Sequence, residues 1–165
     1  MNDQMAGTSE VLKGINKGAA HYPVLVPNKR GLQDLLELLD QYPGLTDEVA
    51  VFTAATDAFT KANLNCTIAE SLIKIEEVTK VALDRGLRIR GYVSVVVACP
   101  YSGKTDPRRV REVSKALLDL GCYEISLGET VGQGRPHEIA EVVEEVKKDV
   151  PVHLLAGHVC SILFS

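Results

Sequence analysis

Gly121-Cys122-Tyr123-Glu124-Ile125-Ser126-Leu127-Gly128-Glu129-Thr130-Val131-Gly132-Gln133-Gly134-Arg135-Pro136 is the stretch whose reading decides the fold. Gly121 ends a helix, where a left-handed residue is usual. Residues 123–127 then read as a strand of the kind buried in a parallel sheet. A glycine-bearing polar loop follows, and Pro136 suits the first position of a new helix, with Ile139, Val142, Val143 and Val146 turned inward. Strand, loop and helix make one complete βα step.

The same step repeats outward in both directions. Upstream, Asp106 is a good N-cap with Pro107 behind it, and Val110, Val113, Leu117 and Leu120 share one helix face. Thr67 with Glu70 forms a capping box ahead of Leu72, Ile75 and Val78. Leu32, Leu35, Leu36 and Leu39 make another apolar face, and Thr8 or Ser9 can cap a first helix bearing Val11, Leu12 and Ile15. Strands are expected at residues 23–26, 48–52, 89–98, 123–127 and 152–156. This rhythm defines an α/β protein with right-handed crossovers. Five steps fit either an open sheet of flavodoxin type or a slice of an eight-stranded (β/α)8 barrel. The chain opens on a helix that follows no strand and closes on a strand that no helix covers, which favours the slice.

Composition sets the outer limits. The 165 residues are 45% apolar and 24% charged, with a net charge of −4 and no basic stripe, so no electrostatic footprint for nucleic acid is present. No apolar run approaches a membrane span. Met1-Asn2-Asp3-Gln4 resembles neither a signal peptide nor a transit peptide, which leaves the cytosol as the default compartment on residues alone. Cys66, Cys99, Cys122 and Cys160 lack any CxxC or zinc spacing. Cys66 and Cys122 read as small buried thiols. Cys99, at a strand end before Pro100, is more open to a role in a site.

In both architectures chemistry belongs at the carboxyl ends of the strands. The loop over residues 128–134 exposes glycine N–H groups before a helix and can hold an anion, or it is a plain turn, since Gly132-x-Gly134 lacks the third glycine of a dinucleotide fingerprint. Glu129 can orient a ligand, act as a base or cap its own turn. His21 and His137 read as solvated, and His153 as a structural residue inside a strand. Lys104 is a Schiff-base candidate or a solvated helix-start lysine. His158, after the last strand, has the placement of a metal ligand. No Walker loop, nucleophile elbow or Ser/His/Asp set is present.

These loops carry a family resemblance. Residues 9–15, Tyr22-Pro23-Val24-Leu25-Val26-Pro27-Asn28, Phe59-Thr60-Lys61-Ala62-Asn63-Leu64-Asn65-Cys66, Arg90-Gly91-Tyr92-Val93-Ser94, Cys99-Pro100-Tyr101-Ser102-Gly103-Lys104 and Gly121-Cys122-Tyr123-Glu124-Ile125-Ser126-Leu127-Gly128 resemble the 3-hydroxy-3-methylglutaryl-CoA lyases. The Cys-Pro-Tyr and Cys-Tyr-Glu-Ile-Ser-Leu-Gly stretches set the chain apart from the related synthases.

The resemblance implies a partial (β/α)8 TIM barrel, about strands three to seven, not closed. It covers residues 5–158 and leaves 159–165 as a divergent tail. It also implies a carbon–carbon lyase that cleaves 3-hydroxy-3-methylglutaryl-CoA to acetyl-CoA and acetoacetate, in leucine catabolism and ketone-body formation. The complete enzyme takes Mg or Mn, is often a homodimer, and is usually mitochondrial, with peroxisomal or cytosolic forms.

Carried over residue by residue, Asn63 and Thr67 match the region near the CoA moiety. Arg90, Tyr92, Ser126 and Thr130 match positions at or supporting the acyl group. Glu129 stands where the family has Asp, and its extra methylene shifts the carboxylate by about 1.5 Å. His158 matches the first histidine of the metal pair, with Cys160 at the second, a poor ligand for a hard cation.

The family's first-strand Arg-Asp pair, second-strand glutamate, metal-binding asparagine and acid cysteine have no counterpart in the sequence. The expectation is therefore a chain inactive by itself, with no cofactor bound. The alternatives are a non-catalytic CoA-binding or interaction module, and a related acyl-CoA-using barrel of aldolase or synthase type.

Overall fold

The computed structural model describes residues 7–15 and 20–159. The elements in chain order are α1 (Thr8–Gly14), β1 (Val24–Leu25), α2 (Lys29–Gln41), β2 (Glu48–Ala54), α3 (Asp57–Leu64), α4 (Ile68–Asp84), β3 (Arg88–Ser94), β4 (Ala98–Cys99), β5 (Gly103–Lys104), α5 (Pro107–Asp119), β6 (Glu124–Glu129), α6 (Pro136–Val146), a 3-10 turn (Val152–Leu154) and β7 (Leu155–Val159). Five strands form one parallel sheet in the order β1-β2-β3-β6-β7, an unclosed barrel of βα steps. The short β4 and β5 pair with each other as an antiparallel hairpin outside that sheet.

Register and pleat give each face of the sheet its own residues. Val49 lies opposite Ile89, Gly91 opposite Ile125, and Ile125 opposite Leu155. These odd-numbered positions point to the helices, because side chains alternate faces along a strand. The main core contains Val49, Val51, Ile89, Val93, Ile125 and Leu127 from the strands, with Leu32, Leu35, Ile75, Val78, Val110, Leu117 and Val142 from the helices. Gly91 lets α5 approach: a Cβ there would sit 3.2 Å from Leu117 Cδ1 and 3.1 Å from Cys122 Sγ. On the same side the Thr53 and Ser71 hydroxyls meet at 2.7 Å, tying β2 to α4. Even-numbered positions, among them Arg90, Tyr92, Ser126 and His158, form the opposite, inner face.

Several local readings of the sequence hold. Thr67 and Glu70 make a reciprocal capping box, with Thr67 N–H donating to Glu70 Oε2 at 2.8 Å and Glu70 N–H donating to Thr67 Oγ1 at 3.2 Å. Asp106 accepts from Arg108 N–H at 2.9 Å, with Pro107 at the start of α5. Gly121 has φ 95°, the left-handed conformation that ends the helix.

Four readings are corrected. The strand expected over 89–98 stops at Ser94, because Val95 takes a φ of 55° and breaks the pleat; residues 98–104 then form the hairpin. The strand expected over 152–156 begins at Leu155, since the 3-10 turn after Pro151 occupies Val152–Leu154. His153 is thus an exposed turn residue, not a strand residue, and His158 lies within β7. A short helix not anticipated above, α3, follows β2, capped by the Thr56 side chain accepting from Phe59 N–H at 3.3 Å. The cap of α1 is Gly7, not Thr8 or Ser9; the Ser9 hydroxyl donates to Glu10 instead. The Cys160 position and the tail expected over 159–165 lie, apart from Val159, outside the described residues.

Candidate functional site

The site is built on the inner face at the carboxyl ends of β3, β6 and β7. Parallel pairing puts Tyr92 opposite Ser126 and Gly128 opposite His158. Tyr92, Val93, Ser94, Gly128, Thr130 and His158 line one open pocket of about 230 Å³. Three residues expected from the sequence, Tyr92, Thr130 and His158, therefore come together. Ser94 joins them without having been singled out, although its spacing of two from Tyr92 on one strand is the signal that finds it.

Arg90 and Ser126 share this face one step deeper. Ser126 is buried beside Tyr92. Arg90 lies opposite Glu124 in the register, and its Nη2 is 2.5 Å from Glu124 Oε1, an ion pair about three-quarters buried on both sides. The guanidinium also sits 5.5 Å from the Tyr92 ring centroid. Arg90 Nε is buried without a hydrogen-bond partner among the described residues. Arg90 thus lies outside the pocket lining, held to Glu124 on the same face of the sheet.

Asn63 and Thr67 lie apart from this pocket. Asn63 is exposed on α3 and donates through Nδ2 to the Phe59 carbonyl at 2.9 Å. Thr67 caps α4. Glu129 is the residue whose position departs most from a ligand-facing one. An odd-numbered strand position turns it to the helix side, where it is 2% exposed. Its carboxylate accepts from Gly132 N–H at 2.7 Å and from Gln133 N–H at 3.3 Å. The anion cradled by the glycine-rich loop is the chain's own side chain. Gly134 is required beside it, because a Cβ there would fall 2.7 Å from Glu129 Cγ. Of the readings open in the sequence, the turn-capping one is the arrangement formed.

Cysteine chemistry divides in two. Burial pushes the Cys122 thiol up to about 12, so it is inert core. Cys99 is also buried, packed with Ala54 and Val95. Burial raises its pKa, but the Ser102 and Thr56 side chains and the Tyr101 and Ser102 backbone stabilise the thiolate, and the balance falls below the ordinary thiol range. Thr56 Oγ1 donates to its sulfur at 3.1 Å. Among the other sequence candidates, His21 Nδ1 is 2.8 Å from Asp47 on the surface, and His137 and Lys104 are exposed.

The donors present do not fit the divalent metal that the resemblance implies. Among the described residues no group of three or more His, Cys, Asp or Glu side chains converges to hold a cation. Hard cations of this kind take several oxygen ligands, and the pocket offers the His158 imidazole with hydroxyl and backbone neighbours.

Comparison with known proteins agrees with the fold. The bovine (Bos taurus) protein named hydroxymethylglutaryl-CoA lyase, mitochondrial, is 47% identical over 156 residues, covering 94% of this chain and 46% of that protein. The crystal structure of HMG-CoA lyase from Brucella melitensis superposes with a TM-score of 0.88 at 44% identity, covering 94% of this chain and 53% of that one. An HMG-CoA lyase from Acinetobacter baumannii, solved in complex with coenzyme A and 3-methylmalate, superposes with a TM-score of 0.81 at 25% identity, covering 93% of this chain and 48% of that one. The chain spans about half the length of the curated relatives it matches. The HMGL-like family profile matches residues 4–159, which takes in every strand and helix described above, and the chain belongs to the HMGL-like family.

Proposed function

We propose that this chain is the central part of a hydroxymethylglutaryl-CoA lyase, contributing its inner-face pocket to the cleavage of 3-hydroxy-3-methylglutaryl-CoA into acetyl-CoA and acetoacetate. One observation carries the reading: the likeness to the lyases extends over 94% of the chain in both sequence and fold. Within that frame Tyr92 and Ser94 bring hydroxyl side chains to the strand ends, with the Arg90–Glu124 pair further down the same face. An acyl-CoA is the substrate class. In the complete enzyme a divalent cation, Mg or Mn, would supply Lewis acidity to the substrate's oxygens, and His158 would be this chain's one side chain toward holding it, the other ligands coming from elsewhere in the barrel. On this reading the 165-residue chain by itself is expected to be inactive. The compartment follows the relatives, of which the bovine protein is named mitochondrial and a rat protein cytoplasmic; the mitochondrion is the reading adopted.

A segment exchange tests this. Residues 5–158 replace the matching segment of the bovine lyase, and acetoacetate release is assayed with Mg or Mn. Metal-dependent release is expected from the chimera and none from the 165-residue chain. A cooperatively folded chimera without activity refutes the assignment, and release from the isolated chain refutes its dependence on the rest of the barrel.

A further inference from the structure

Val95 leaves β3 with a φ of 55°, a conformation that a β-branched residue rarely adopts. It is fully buried, and its side chain packs against Ala54 and Cys99. Two threonine hydroxyls from different loops hold its backbone. Val95 N–H donates to Thr130 Oγ1 at 2.9 Å, and Thr105 Oγ1 donates to the Val95 carbonyl at 2.7 Å. Each threonine makes a second attachment: the Thr130 hydroxyl to the Gly128 carbonyl at 3.3 Å, and Thr105 N–H to the Val97 carbonyl at 2.9 Å. Flanking backbone bonds complete the clamp, Ala55 N–H to the Ser94 carbonyl at 3.0 Å and Val96 N–H to the Gly128 carbonyl at 3.2 Å. Ser94, Gly128 and Thr130 all line the inner-face pocket.

We propose that Thr105 and Thr130 are positioning residues: their hydroxyls hold Val95 in its left-handed conformation, and so fix Ser94 and Gly128 at the pocket rim and launch the β4–β5 hairpin beside α3. The proposal deepens the lyase reading of the same pocket. A hydroxyl has one proton and two lone pairs. Thr130 commits the proton to Gly128 and one lone pair to Val95, so its main work is on the backbone rather than on substrate. Strain of this kind persists only where the surroundings over-determine it, and here two side chains and three backbone bonds do so.

The test needs no ligand, so it stands apart from the fate of the lyase assignment. Thr130→Val, Thr130→Ser, Thr105→Val, Val95→Gly and the double variant Val95→Gly with Thr130→Val are made in the 165-residue chain. Thermal melts are recorded, with amide hydrogen exchange at residues 95–97. Thr130→Val and Thr105→Val are expected to speed exchange there by roughly tenfold or more, as a local opening that the hydroxyls now suppress. Thr130→Ser keeps the wild-type rate. In the Val95→Gly background the Thr130→Val loss shrinks, because glycine adopts the conformation unaided. If Thr130→Val fails to fold alone, recovery of a cooperative melt in the double variant supports the clamp, and no recovery overturns it. Unchanged exchange in both Thr→Val variants, or additive losses in the double variant, also overturns it.

Discussion

The two faces of the parallel sheet are made from the same strands and obey different rules. The helix side is apolar and closed: Val49, Val51, Ile89, Val93 and Ile125 are inaccessible to solvent. The inner side carries Arg90, Tyr92, Ser94 and His158, half-buried or exposed, around an open pocket. One face supplies stability through removal of apolar area from water. The other holds polar groups in place around the opening. Residue 129 crosses the division, a carboxylate on the helix side that is tolerated because two backbone N–H groups receive it.

The contrast can be broken at four points, in decreasing order of expected effect. Ile125→Ala empties a core position on the helix side and is expected to lower unfolding free energy in urea by about 3 kcal/mol. Glu129→Ala removes a buried carboxylate that accepts from the Gly132 and Gln133 N–H groups of a half-buried turn, and a loss of about 2 kcal/mol is expected by the same measurement. If that loss is absent, the loop is not built around the carboxylate.

Tyr123 sharpens the comparison at the amino-terminal end of the sheet. Its hydroxyl donates to the buried Glu48 Oε1 at 2.6 Å, and Tyr123→Phe should cost about 1.5 kcal/mol. Burial and then the Glu48 carboxylate push the phenol up to about 12. Since the unfolded phenol titrates near pH 10, the neutral phenol's contribution is fully present below about pH 10. It is lost as pH rises toward about 12. An absorbance difference titration of wild type against Tyr123→Phe reads the shifted phenol directly, and a Tyr123 pKa at the ordinary value would contradict the pairing. The smallest effect belongs to the inner face: His158→Ala should change stability by no more than about 0.5 kcal/mol, because its side chain is exposed. A large loss there would erase the distinction between the faces.

What the residues disclose in advance follows local physics. Caps at Thr67 and Asp106, the Gly121 stop and the amphipathic helix faces are legible because each rests on neighbours within a turn or two. The break at Val95 is not. Val95, Val96 and Val97 favour a strand, and the groups that override this preference come from Thr105 and Thr130, ten and thirty-five residues away. The start of β7 shifts for a simpler reason, the 3-10 turn set by Pro151. The family resemblance singled out Tyr92, Thr130 and His158 at the pocket, but sequence gave no direction for the Glu129 side chain. That direction depends on whether residue 129 still belongs to the pleat of β6, which a loop-like composition conceals.

The strict two-residue alternation of β6 has an evolutionary corollary. Point substitutions in Glu124–Glu129 alter one wall at a time. Loss or gain of a single codon in the middle of that strand would rotate everything beyond it by half a turn, driving Leu127 toward water and Gly128 into the oily layer at one stroke. Length, more than identity at any one site, is what this segment must conserve.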